Sequence, residues 1–183
     1  MGMAAPIYHT ADMVRAMPDD GNRYEVVYGE LLVTPAPRAW HQRLVLRVAS
    51  ALEAYLAQHP DAGVAFVSPA DISWGPDVLV QPDVFVVSAE EARTLNWSRM
   101  RTLLLVAEVL SPSTARGDRF LKRLRYREAG VPHYWVLDGD ERSVEIWTPS
   151  DEFPTLERER LVWHPAGAPR PFELDLQALF RPV

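Results

Sequence analysis

The stretch from Arg101 to Leu110 constrains the fold most. Leu103, Leu104, Leu105, Val106 and Ala107 follow one another without a polar break, and only Glu108 interrupts the run before Leu110. Its length and its exit through Ser111-Pro112 suit a strand buried on both faces. Such a strand needs a layer of structure on each side. Ser113 or Thr114 can cap a helix running to about Ala129 and closed by Gly130. His133 to Leu137 then reads as a further strand, so strand, capped helix and strand take the form of a right-handed crossover unit.

Around this unit the chain alternates short strands and helices. Thr10 can cap a short helix through Met17, ended by Pro18. Tyr24 to Val27 and Leu31 to Thr34 read as a hairpin around Tyr28-Gly29-Glu30. Leu44, Val48, Ala51, Leu52, Tyr55 and Leu56 recur at three-four spacing, which predicts a helix from about Trp40 to Gln58. Strands follow at Val64 to Val67, Asp71 to Trp74, Val84 to Val87 and Ser143 to Trp147, with a last hairpin and a short helix near Leu176 to Phe180. The expected class is α/β or α+β, a central mixed sheet flanked by helices in a single domain spanning residues 1–183.

Several function classes drop out. The chain has no cysteine, which excludes disulfides, thiolate metal sites and Cys nucleophiles and suggests a reducing, cytoplasmic compartment. The start, Met1-Gly2-Met3-Ala4-Ala5-Pro6, lacks the basic and apolar regions of a secretory leader. No apolar run approaches the ~20 residues of a membrane span. Neither a phosphate-binding glycine loop nor a G-x-S-x-G elbow is present. A formal charge of −6 argues against broad adhesion to nucleic acid while leaving room for a local basic groove.

The residues able to do chemistry are few. Glu108 lies inside its apolar run and cannot remain charged without a cation, a hydrogen-bond network or a metal; a structural ion pair with a buried Arg is the plainest solution. Asp83 follows Gln81-Pro82 and precedes Val84-Phe85-Val86-Val87; alone it would pass for a strand-edge aspartate. Two hard oxygen ligands delivered from neighbouring strands suit Mg²⁺ or Mn²⁺. Nineteen positions carry Lys or Arg, and Lys122 is the single Lys among them. Lys122 shares a helix face with Tyr126, and Asp118 lies four residues before it and could simply pair with it. Glu25 in the first hairpin and His41 at the start of the long helix are further candidates, His41 as ligand or base. Arg116, Arg119 and Arg123 belong to a basic cluster, which is either a solvated helix face or a set of phosphate contacts.

Taken in order, Tyr24-Glu25, Gly29-Glu30, His41, Gln81-Pro82-Asp83, Glu108-Val109-Leu110-Ser111-Pro112-Ser113-Thr114, Asp118, Lys122, Tyr126 and Gly130-Val131-Pro132-His133-Tyr134-Trp135 resemble the Uma-type restriction endonuclease family. That family is a bacterial branch of the PD-(D/E)xK nucleases. The resemblance covers about Met13 to Phe180 and is most specific at Glu108 to Thr114 and Gly130 to Trp135. It implies a restriction-endonuclease-like core, with Asp83 and Glu108 holding Mg²⁺ or Mn²⁺ (helped by His41 or Glu25), Lys122 and Tyr126 completing the catalytic set, and DNA as the partner. Nucleases of this type are often homodimers. Two positions depart from the pattern. The superfamily's Lys two residues after the Glu is Leu110 here, so Lys122 must substitute from the helix. His133 stands where many relatives carry Glu. The rival reading is an inactive nuclease fold kept as a DNA-binding or regulatory module; a third is an interaction protein dimerising through exposed Trp residues.

Overall fold

The computed structural model describes residues 7–112 and 114–183; the leader reading of residues 1–6 and the capping reading of Ser113 fall outside them. In chain order the first half holds α1 (Ala11–Arg15), β1 (Arg23–Val27), β2 (Glu30–Thr34), α2 (Ala39–Leu56), β3 (Val64–Val67), β4 (Ile72–Gly75), β5 (Val78–Val80) and β6 (Val84–Val87). The second half holds α3 (Ala89–Ala92), β7 (Leu103–Val109), a π-helix (Gly117–Lys122) running into α4 (Arg123–Glu128), β8 (Tyr134–Asp138) and β9 (Ser143–Trp147). β10 (Thr155–Glu157), β11 (Arg160–Trp163), β12 (Phe172–Asp175) and α5 (Leu176–Leu179) complete it.

Local chemistry explains most of these boundaries. The Thr10 side chain accepts the Met13 N–H and caps α1. Tyr28 and Gly29 both have positive φ, 53° and 76°, as a two-residue hairpin turn between β1 and β2 demands. A side chain at Gly29 would also strike the Tyr8 ring. Gly130, at φ 76°, follows the Ala129 cap of α4 and ends the helix where expected.

Three features depart from the sequence expectations. β5 is only Val78–Val80, squeezed between Pro76 and Pro82, too short to show a period. Its pairing with β1 and β4 makes it a strand. The helix after β7 is not continuous α: the wider π turn carries buried Asp118 and Lys122. Asp118 pairs with Lys122 four residues on, as their spacing allows, while Lys122 also meets Glu25 and Glu108 outside the helix, contacts of which sequence periodicity holds no trace. Finally, none of the six Trp residues is exposed, which removes the proposed Trp dimer face.

The central sheet is mixed, with order β10-β9-β8-β7-β6-β3. β7 and β8 are parallel neighbours joined through the helical segment; the other pairs are antiparallel. A second, antiparallel sheet, β2-β1-β5-β4, was not foreseen as separate, and β11-β12 forms the last hairpin. One face of the central sheet packs Val84, Val86, Leu105, Ala107 and Trp135 against α2, β11, β12 and α5. Its other face packs Phe85, Val106 and Val136 against Val27, Ile72 and Val80 of the second sheet and Tyr126 of α4. No helix among the described residues is long and apolar enough to cross a membrane.

Candidate active site

Antiparallel register brings the two acids together. β6 pairs with β7 at Val84↔Ala107, so the next residues outward, Asp83 and Glu108, lie opposite each other. Opposed residues of an antiparallel pair share a face, here the face turned to the second sheet. The contacts agree: Asp83 N–H approaches Glu108 Oε2 at 3.3 Å, and Val109 N–H donates to Asp83 Oδ2 at 2.9 Å.

Each acid is surrounded by donors. Arg23 Nη1 reaches Asp83 Oδ1 at 2.8 Å, and His41 Nε2 meets Oδ2 at 3.1 Å. A carboxylate can only accept, so the imidazole donates through Nε2. His41 Nδ1 is buried with no hydrogen-bond partner among the described residues. Glu108 Oε1 accepts from Lys122 Nζ at 3.1 Å and from the Tyr126 hydroxyl at 2.9 Å. Lys122 also lies 3.0 Å from Glu25 Oε2 and 3.2 Å from Asp118 Oδ1. Glu25 Oε1 accepts the Gln81 N–H at 2.7 Å and so ties the second sheet to the Gln81-Pro82-Asp83 segment.

The electrostatics follow from burial and charge count. Burial opposes ionisation of Asp83, but the His41 hydrogen bond and the Arg23 charge outweigh it and hold this carboxyl well below its usual range. Burial pushes Glu108 well above that range; Lys122 offsets this in part, while Asp83, Asp118 and Glu25 add to it. Asp118 is raised for the same first reason. Burial disfavours the Lys122 ammonium, yet Glu108, Glu25 and Asp118 prevail and raise its pKa, so Lys122 stays charged at neutral pH. Four buried carboxylates thus face two permanent cations, Arg23 and Lys122.

A cleft of about 850 Å³ opens onto this cluster, lined by Arg15, Arg23, Arg38, His41 and Asp83 among others. Glu108, Lys122 and Tyr126 lie behind its floor, each at most 1% exposed. An excess of hard, buried oxygen donors fits a divalent cation in chemistry. Among the described residues, however, no three His, Asp or Glu side chains already converge as ligands; the protein's own cations and hydrogen-bond donors hold the oxygens instead.

The structure brings together Asp83, Glu108, Lys122, Tyr126, His41 and Glu25, and Asp118 pairs with Lys122 as the sequence spacing allowed. None of the three arginines named for nucleic acid lines this cleft, though Arg119 lines a smaller pocket that shares Arg38 and His41 with it. Arg119 is paired with Asp138 at 3.2 Å and Glu145 at 2.7 Å, Arg123 lies over the Trp147 ring, and Arg116 is exposed. Sequence reasoning did not single out Arg23 or Arg38, both of which line the cleft. Arg23, two residues before Glu25 in a β-strand, shares its face; that spacing was the available signal.

A mixed sheet that sets Asp and Glu on adjacent strands beside a helix-borne Lys is a restriction-endonuclease-like nuclease fold. The chain belongs to the Uma2 family, described as "Putative restriction endonuclease", whose profile matches residues 11–177. Among solved structures it is similar to a "putative nuclease belonging to DUF820 from Anabaena variabilis ATCC 29413". The TM-score is 0.75 at 20% identity, over 93% of this chain and 97% of that one, a likeness of fold. No curated protein matches the chain.

Proposed function

We propose that this protein hydrolyses phosphodiester bonds in DNA with a divalent cation, Mg²⁺ or Mn²⁺, held by Asp83 and Glu108. The observation that carries this reading is the meeting of these acids on one sheet face with Lys122 3.1 Å from Glu108. The cation would supply a water of lowered pKa and stabilise charge on the phosphate.

The chain's own groups divide the remaining work. His41, with Nδ1 free of protein hydrogen bonds among the described residues, orients Asp83 and is the nitrogen donor at hand. Glu25 and Asp118 fix the Lys122 ammonium, and Tyr126 fixes Glu108. Lys122 holds its proton at neutral pH, so it acts by offsetting developing negative charge, not by accepting a proton. Arg15 and Arg38 on the cleft wall suit backbone phosphates, a contact that positions without reading sequence.

Nicking of supercoiled plasmid in Mn²⁺ tests the reading. Asp83→Ala and Glu108→Ala should lose several kcal/mol of charge stabilisation, on the order of a thousandfold in rate. Lys122→Met should slow cleavage more than it weakens Mn²⁺ binding. Equal rates in wild type and all three variants would remove the mechanism. One observation favours a second reading, an inactive DNA-binding module: Lys122 is 1% exposed and ringed by three carboxylates. Metal-independent DNA binding without nicking would select it.

A further inference from the structure

Arg23 stands where a cation is wanted. It enters from β1 in the second sheet, and its side chain remains 19% exposed on the cleft wall. Among the described residues its Nη1 is the one donor to Asp83 Oδ1, while Oδ2 is held independently by His41 and by the Val109 N–H. Losing Arg23 would therefore free a single oxygen of a carboxylate that lines the cleft, without loosening Asp83 from its other two donors.

The guanidinium also leaves one of its donors unused. Its Nε is buried without a hydrogen bond among the described residues and lies 3.7 Å from Glu25 Oε2. Two other acceptors already lie close to Nη1: Gln81 O at 3.3 Å and Ser68 Oγ at 3.4 Å. Arg23 can thus give up Asp83 and still have partners. Lys122 differs: it is fully enclosed and has three carboxylates within 3.2 Å. Of the two cations in the cluster, Arg23 is the exchangeable one.

We propose that Arg23 is a built-in counter-ion that occupies Asp83 in the metal-free protein and yields Oδ1 when a divalent cation enters from the cleft. The exchange replaces one positive charge by two in a cluster where carboxylates outnumber cations, so the environment favours it. This inference rests on the metal-binding reading of Asp83 and Glu108. Arg23 is then a positioning residue for the metal-free state, setting how readily the site loads.

The test is calorimetric titration of Mn²⁺ into wild type, Arg23→Gln and Arg23→Lys. The Gln variant keeps a donor for Gln81 O and removes the charge; it should bind Mn²⁺ about tenfold or more tightly than wild type. The Lys variant, which keeps the charge, should stay within a few-fold of wild type. Binding by wild type with no gain in Arg23→Gln overturns the counter-ion role and leaves the metal reading standing. Absence of Mn²⁺ binding in all three proteins overturns both. Should circular dichroism show Arg23→Gln unfolded, the side-chain ¹⁵N resonances of Arg23 in wild type decide. A saturable change with Mg²⁺ supports release from Asp83, and no change overturns it.

Discussion

The two faces of the central sheet are built from the same strands and are filled differently. On the face toward α2, Leu105, Ala107 and Trp135 meet Leu44, Val48 and Leu52 in an apolar layer. On the face toward the second sheet, the alternate residue of β7 is Glu108, fully buried beside Asp83 and Lys122. The first face gains stability from area removed from water. The second spends some of it, because four enclosed carboxylates share two permanent cations. A single strand thus gives an apolar layer on one side and, beside the apolar Val106, a buried charged cluster on the other.

Substitutions on each face should separate the two. Trp135→Ala, which removes a fully buried ring stacked on Phe172, should cost about 3–5 kcal/mol in urea unfolding and leave Mn²⁺ affinity of the folded protein unchanged. A loss of metal binding there would show that the faces are coupled. Lys122→Ala strands Glu25, Glu108 and Asp118 around an empty centre and should also cost roughly 3–5 kcal/mol. Lys122→Met, which fills the volume, should cost less; an equal loss would mean that packing outweighs charge.

Glu108→Gln should do the reverse. Burial raises the Glu108 carboxyl, so the folded state binds a proton that the unfolded chain, with a pKa of about 4.3, releases. Its contribution to stability is full below that value and is lost as pH climbs through the folded-state pKa. Asp83, held low, behaves oppositely: its contribution is present at neutral pH and fades only in acid. In chelator, Glu108→Gln should therefore melt above wild type at pH 7, by about 2–4 °C per kcal/mol recovered, with the gap closing toward pH 4. An identical gap at both pH values would sink this account. The smallest effect is expected at Arg119, whose two partly exposed pairs should be worth roughly 0.2–1 kcal/mol. Arg119→Ala should weaken DNA binding less than Arg38→Ala.

Much of the architecture is legible in the residues. The α2 stripe, the β7 run, the Tyr28-Gly29 turn and the Gly130 stop are local signals, and the structure places each within a few residues of expectation. Asp83 and Glu108 stand out because carboxylates beside apolar runs are costly to bury. What stays hidden depends on partners distant in sequence. β5 is a strand because β1 and β4 pair with it, Lys122 in the π turn meets Glu25 and Glu108 from other elements, and Arg23 shows only its spacing from Glu25 until the fold sets it against Asp83.

The chain alone determined which segments are extended or helical and which charged groups had to find partners, because periodicity, capping and desolvation act within a few residues. The tertiary structure decided who those partners are. Register set Asp83 against Glu108, the second sheet delivered Glu25 and Arg23, and the helix brought Lys122 between Glu25 and Glu108. Ion pairing depends on distances of a few ångströms between groups far apart in sequence, and only the folded chain sets those distances.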